Sequence, residues 1–306
     1  MIPTPLRFIL YPLFAAVCLF LFSVVLFHFD SVKHRFGTEV EKYLDGKFSV
    51  TIGNLSASLP NGVVLKSVEI RRRGDLEAQA IHIPKAKLKI ALFSLLSGGR
   101  EVGFDINTDK GRAHGFYALH KGGMALDISM TQFDLTLAEI LAQQTDLPIS
   151  GIMNGTVKID IYPQDPLRNA GNVSLTLLDL KLAQMTFGGA LQIPAIQLVQ
   201  SGGESPQPSK IDISIEKGNI DIKAIQFQGG DLDLQADGKI YGARQIGNYR
   251  FNMKGNVKVS PQLAEKFPLL IAVEKQKAAD GTYPLTVTGR FSNPSIRVGD
   301  FKIPII

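Results

Sequence analysis

The chain has 306 residues, 45% of them hydrophobic and 20% charged, with 29 Gly, 16 Pro, one Cys and no Trp. That composition excludes a disordered polymer, a collagen, a coiled coil and a disulfide scaffold. A formal charge of +5, from 33 Lys and Arg against 28 Asp and Glu, leaves no basic footprint that would make nucleic acid a partner.

The first predicted element is the most concentrated. Residues 8–27 (FILYPLFAAVCLFLFSVVLF) carry no charge, and 18 of the 20 are apolar. At about 1.5 Å per residue the run is roughly 30 Å long, the thickness of a bilayer core. It reads as a transmembrane helix over 8–29, anchored by Phe8, Ile9, Leu10, Leu13, Phe14, Val17, Leu19, Phe20, Leu21, Phe22, Val24, Val25, Leu26 and Phe27. Pro12 falls within its first turn or so, where a missing amide is tolerated. A cleaved signal peptide fits less well, because the run exceeds an h-region of about 7–15 residues and no Ala-x-Ala site follows it. Cys18, deep within the run, reads as a small apolar residue facing lipid. Arg7 precedes the span while Lys33, Arg35, Lys42 and Lys47 follow it, so charge alone does not fix orientation. A long downstream domain translocates largely regardless of flanking charge, which gives a cytoplasmic tail at 1–7 and the rest outside. The absence of Cys from residues 30–306 agrees with an oxidising compartment.

Residues 30–46 place Val32, Phe36, Val40 and Tyr43 with Leu44 on one helical stripe. This amphipathic helix either lies on the bilayer surface or plugs the first strands of the following domain; the second use is the commoner.

From Phe48 the period becomes two. Ile211, Ile213 and Ile215 alternate with Asp212, Ser214 and Glu216, and Leu232, Leu234 and Ala236 alternate with Asp231, Asp233, Gln235 and Asp237. Val157, Ile159 and Ile161, then Phe251 and Met253, then Leu285 and Val287, repeat the pattern. These are half-buried antiparallel strands. Phase slips at Leu177/Leu178 and Ala224/Ile225 predict bulges or strand ends. All 29 Gly follow the membrane run, and pairs such as Asn61-Gly62, Gly122-Gly123, Gly218-Asn219 and Asp280-Gly281 read as hairpin punctuation. The 201–210 stretch (SGGESPQPSK) reads as a flexible loop, Thr136 with Glu139 as a capping box, and Ser260-Pro261 as a helix start running to Leu270.

Roughly fifteen one-sided strands outnumber the few short helices that could cover them. Either two sheets face each other as a sandwich, or one elongated curved antiparallel sheet forms a trough with an apolar lining. The fold class is therefore mainly β: a transmembrane helix, an amphipathic helix, and a β-rich domain over 47–306 with a sub-boundary near 146–150.

Chemistry is absent from the pattern. There is no GxSxG, P-loop, HExxH or Cys pair. His114 and His120 would share a strand face about 20 Å apart, too far for a shared metal. Asp231, Asp233 and Asp237 read as the wet face of a strand, and Arg71, Arg72 and Arg73 as a basic hairpin tip in water or, less simply, a contact for anionic headgroups. No catalytic, cofactor or metal residue is expected.

The opening layout, with FSVTIGNLSASLPNGVVLKSVEIRR after the span, resembles type II secretion system protein N (GspN) of the form found in deltaproteobacteria. Leu59, Pro60 and Gly62 match a Leu-Pro-x-Gly-hydrophobic turn of that family; KIALFSLLSG at 89–98 and the closing GTYPLTVTGRFSNPSIRV are also similar. The layout is more distantly similar to AsmA-like proteins, anchored β-rich troughs associated with lipid handling. The resemblance implies a single-pass protein of the bacterial inner membrane with a periplasmic domain, acting as a non-catalytic scaffold or assembly factor among type II secretion subunits. The AsmA-like alternative implies a groove for phospholipid acyl chains.

Overall fold

In the computed structural model the described residues are 29–43, 46–58, 61–73, 80–90, 100–136, 149–187, 191–200, 209–266 and 273–303. The membrane-anchor residues between Phe8 and Phe27, Cys18, and Leu59 and Pro60 of the family-like turn lie outside them. Among the described residues, no helix is long and apolar enough to cross a membrane. The protein is mainly β, an open antiparallel sheet with few helices. It divides into two compact units, Met1–Lys87 and Leu88–Ile306.

In the first unit the Phe29–Tyr43 helix precedes β1 (Phe48–Ser58) and β2 (Gly62–Arg72), and β3 (Ile81–Ile90) follows in the order β1-β2-β3. The helix packs against the strands. Phe36 and Val40 are half-buried and Gly37 is buried against the Val50 carbonyl, where its missing side chain allows close approach. Glu41 locks the contact by accepting from the Val50 amide at 2.8 Å and the Arg73 guanidinium at 2.6 Å. Arg73 is thus committed to Glu41, and Arg71 lies 3.7 Å from Glu69.

The simple alternation of β2 breaks once. Leu55 pairs with Leu65 and Ile52 with Val68, all four buried, so the inward set moves by three residues in both strands. The change occurs at Gly53 and Ser67; Ser67 has a φ of 51°, and a Cβ on Gly53 would lie 2.9 Å from that of Ser67. A paired kink flips both strands together and keeps one apolar face.

The second unit is a ladder in which nearly every strand bonds to its chain neighbour. Its order is β4 (Arg100–Asn107), β5 (Arg112–His120), β6 (Gly123–Asp134), β7 (Ile149–Ile161), β8 (Ala170–Leu182), β12 (Ser209–Glu216), β13 (Asn219–Phe227), β14 (Leu232–Tyr241), β15 (Arg250–Val259), β16 (Tyr283–Arg290), β17 (Asn293–Val298) and β18 (Phe301–Ile303). Between β8 and β12, β9 (Met185–Phe187) and β10 (Leu191–Ile193) form a small hairpin, and β11 (Ile196–Gln197) adds to β8. The turns at Gly122 and at Lys217-Gly218 use positive φ, as two-residue hairpins require.

Both predicted phase slips are bulges: one in the β7–β8 pairing, where Asp179 has positive φ, and one at residues 223–224 between β13 and its neighbours. Two readings need correction. Ser209 and Lys210 belong to β12 and not to a loop, because Ser209 is fully buried and its hydroxyl accepts from the Gln228 amide at 3.0 Å. Asp134, rather than Thr136, caps the turn after β6, accepting from both the amide and the hydroxyl of Thr136. The Ser260-Pro261 start holds, with Pro261–Lys266 helical and Ser260 Oγ accepting from the Leu263 amide; residues 267–272 and Glu139 lie outside the described residues.

Candidate functional site: the apolar face of the second unit

The register joins the alternating residues into one continuous apolar surface. Tyr117 faces Leu126, Leu126 faces Ile159, and Val157 faces Val173. Val173 faces Ile213, Ile215 faces Ile220, Ile220 faces Ile240, and Ile240 faces Phe251. Met253 faces Val287, and Val287 faces Ile296. These residues are half-buried, and among the described residues no second layer covers the face along most of its length. The opposite face is wet and carries cross-strand pairs such as Asp127 with Lys158 at 3.7 Å and Asp221 with Lys239 at 3.9 Å. Exposed pairs of this kind add little stability.

Glycines interrupt the apolar rows at Gly115, Gly155, Gly171, Gly238 and Gly255. They are strand interiors, so punctuation describes only part of the glycine content. At each of them a Cβ would overlap the backbone carbonyl of the adjoining strand. The backbones close up on this face, which a side chain would prevent.

The two ends of the strands differ. At one end, Leu135, Leu177, Leu180 and Val199 form a buried cluster, with Ile149, Met153, Leu198, Ile211 and Phe227 packed against it. The segment after β11 is tied down by the Leu198 and Val199 amides, which both donate to the Leu180 carbonyl at 2.8 and 3.0 Å. Asp231 fastens the same region: its carboxylate accepts from the Gln197 amide at 2.9 Å and from the Ser260 hydroxyl at 3.5 Å. Asp231 is therefore a half-buried clamp rather than a member of a wet strand face; Asp233 accepts from the Gly229 amide, and Asp237 is exposed opposite Lys254.

At this closed end, partial burial pushes the Asp134 carboxyl upward, but hydrogen bonds from Lys110 and Thr136 together outweigh it and hold the group below its ordinary value. A lowered folded value contributes stability above the unfolded value and loses it as pH falls through the folded one. Asp134→Asn is expected to cost about 1 kcal/mol near neutral pH and to flatten the acid limb of the stability profile, read by denaturant unfolding at several pH values.

At the other end lie the connections 121–122, 162–169, 217–218, 242–249 and 291–292. Among the described residues, five of the six exposed large hydrophobic residues sit there: Leu119, Leu167, Tyr241, Ile246 and Phe291. A cleft of about 410 Å³ opens beside them, lined by Tyr241, Gly242, Ala243, Asn248, Arg250 and Arg290.

His114 and His120 are exposed and lie on one strand, and His120 packs against the Tyr162 ring at 5.7 Å. No group of metal-binding side chains occurs among the described residues. Of the family-like turn, only Gly62 is described, at the start of β2. No family model, curated protein or solved structure matches the chain.

Proposed function

We propose that the second unit is a non-catalytic trough whose apolar face holds lipid acyl chains, in a periplasmic protein anchored in the bacterial inner membrane. The carrying observation is the half-buried apolar face that runs, with glycine gaps, from β5 to β17. A partly exposed apolar surface of that extent is costly unless it is occupied. Glycine-permitted close approach on this same face, with bulges in β8 and β13, supports a sheet that bends toward its apolar side. The uncharged run at 8–27 supports the anchor.

A photo-crosslinking amino acid placed in the full chain at Ile213 in living cells tests the reading. Adducts with phospholipid are expected there and not at Asp212, one residue along on the opposite face. Equal labelling at both positions, or protein adducts alone at Ile213, would overturn it.

The scaffold reading, in which the chain serves type II secretion subunits, draws on the resemblance and on one structural feature. The described sheet ends at β18, which has a partner only in β17. A free edge of this kind can accept a strand from another protein. Crosslinks from Lys302 to a second envelope protein would favour it.

A further inference from the structure

Arg250 and Arg290 stand directly opposite each other across β15 and β16, and Tyr241 faces Arg250 from β14. Like charges in that position repel, and neither guanidinium makes an ion pair or side-chain hydrogen bond among the described residues. Both line the 410 Å³ cleft closed by Gly242, Ala243 and Asn248. A second like-charged pair, Arg297 opposite Lys302, lies apart from this cleft. Two unneutralised guanidiniums converging on a cleft are a fork for an anion with several oxygens.

The neighbouring turns say which anion. The Phe291 amide donates to the Tyr249 carbonyl at 2.8 Å and the Ser292 amide to the Gly247 carbonyl at 3.2 Å, which fixes the two hairpin tips side by side. On these tips Ile246 is 63% and Phe291 55% exposed, an arrangement unfavourable in water. Phe291 is backed by Phe251 of the apolar face at 6.0 Å between ring centres. Arg168, Lys217 and Arg244 lie in the same set of connections, against Asp165 and Glu216. Protruding apolar tips ringed by cations match the boundary of an anionic bilayer, where charge meets phosphate and side chains enter the acyl layer.

We infer that this end of the second unit docks on an anionic membrane, with Arg250 and Arg290 holding the phosphate of a lipid headgroup while Ile246 and Phe291 enter the interface. The docking does not depend on what the apolar face carries.

Phe291→Trp supplies the test, because the natural chain has no tryptophan. The full chain with F291W is carried in nanodiscs of zwitterionic phosphatidylcholine and mixed with vesicles of brominated phosphatidylglycerol or brominated phosphatidylcholine. Quenching of the indole is expected with the anionic vesicles alone. Adding Arg250→Ala and Arg290→Ala should weaken it about thirtyfold, from roughly one headgroup interaction lost per cation. Removing two lysines elsewhere on the same face, Lys254→Ala and Lys258→Ala, should leave it within about twofold, since they lie away from the cleft. Circular dichroism verifies that each variant is folded. Equal quenching by both vesicles, no quenching by either, or an equal loss in the lysine variant would each overturn the inference. Inorganic phosphate that perturbs the indole while neither vesicle quenches it would mark a free-anion site and overturn membrane docking.

Discussion

Gly155→Val is expected to unfold the second unit or to lower its stability by about 4 kcal/mol or more. Gly155 has a φ of 137°, which a branched side chain adopts only under strain. Its Cβ would also meet the Ser174 carbonyl on β8. Because that atom is backbone, relief requires β7 and β8 to part, with loss of hydrogen bonds on both sides of the insertion. Gly247→Ala provides the contrast: it has ordinary backbone, and the nearest atom to its Cβ is Ser292 Cβ at 3.9 Å. That substitution should change stability by less than about 0.5 kcal/mol. Denaturant unfolding of the two full-length variants side by side measures the difference, and similar midpoints would refute the assigned role of Gly155.

Leu65→Asp should cost about 3–5 kcal/mol in the first unit, because it puts a carboxylate opposite Leu55 and on the face that buries Ile52 and Val68. Burial raises the folded value of the introduced acid above its unfolded value, so the penalty is largest near neutral pH and shrinks as acid protonates the group. Leu65→Asn should show a smaller, pH-independent loss. A melting curve for Leu65→Asp that matches the natural chain would place Leu65 outside the core.

The sheet was readable wherever one face is apolar and the other wet. Ile211, Ile213 and Ile215 announce β12 because a strand presents alternate residues to one side, and the doubled apolar positions at Leu177/Leu178 announce a bulge because the period skips there. Glycine was less legible. Met153, Gly155 and Val157 keep the strand period, yet a glycine inside an apolar row looks the same on paper as one in a turn. Only the adjoining strand, through the Ser174 carbonyl, shows why a side chain is excluded. Asp231 was misread for a related reason: its sequence neighbours alternate with leucines, while its partners Gln197 and Ser260 lie 34 and 29 residues away. The cleft was invisible altogether, since Arg250 and Arg290 are unremarkable charges until β15 and β16 pair.

The ladder order has a consequence for how the molecule is built over time. Since almost every contact in the second unit joins strands adjacent in the chain, its contact order is low for a β-protein, and folding can begin at several hairpins and spread in either direction. The largest exception is β8 with β12, which must find each other across the β9–β10 hairpin and the segment after it, where β11 also returns to β8. That junction divides the ladder into two series of hairpins, so partial unfolding should stop there and leave one series intact. A body assembled this way can also lengthen or shorten by whole hairpins, with only the strands next to the change having to adapt.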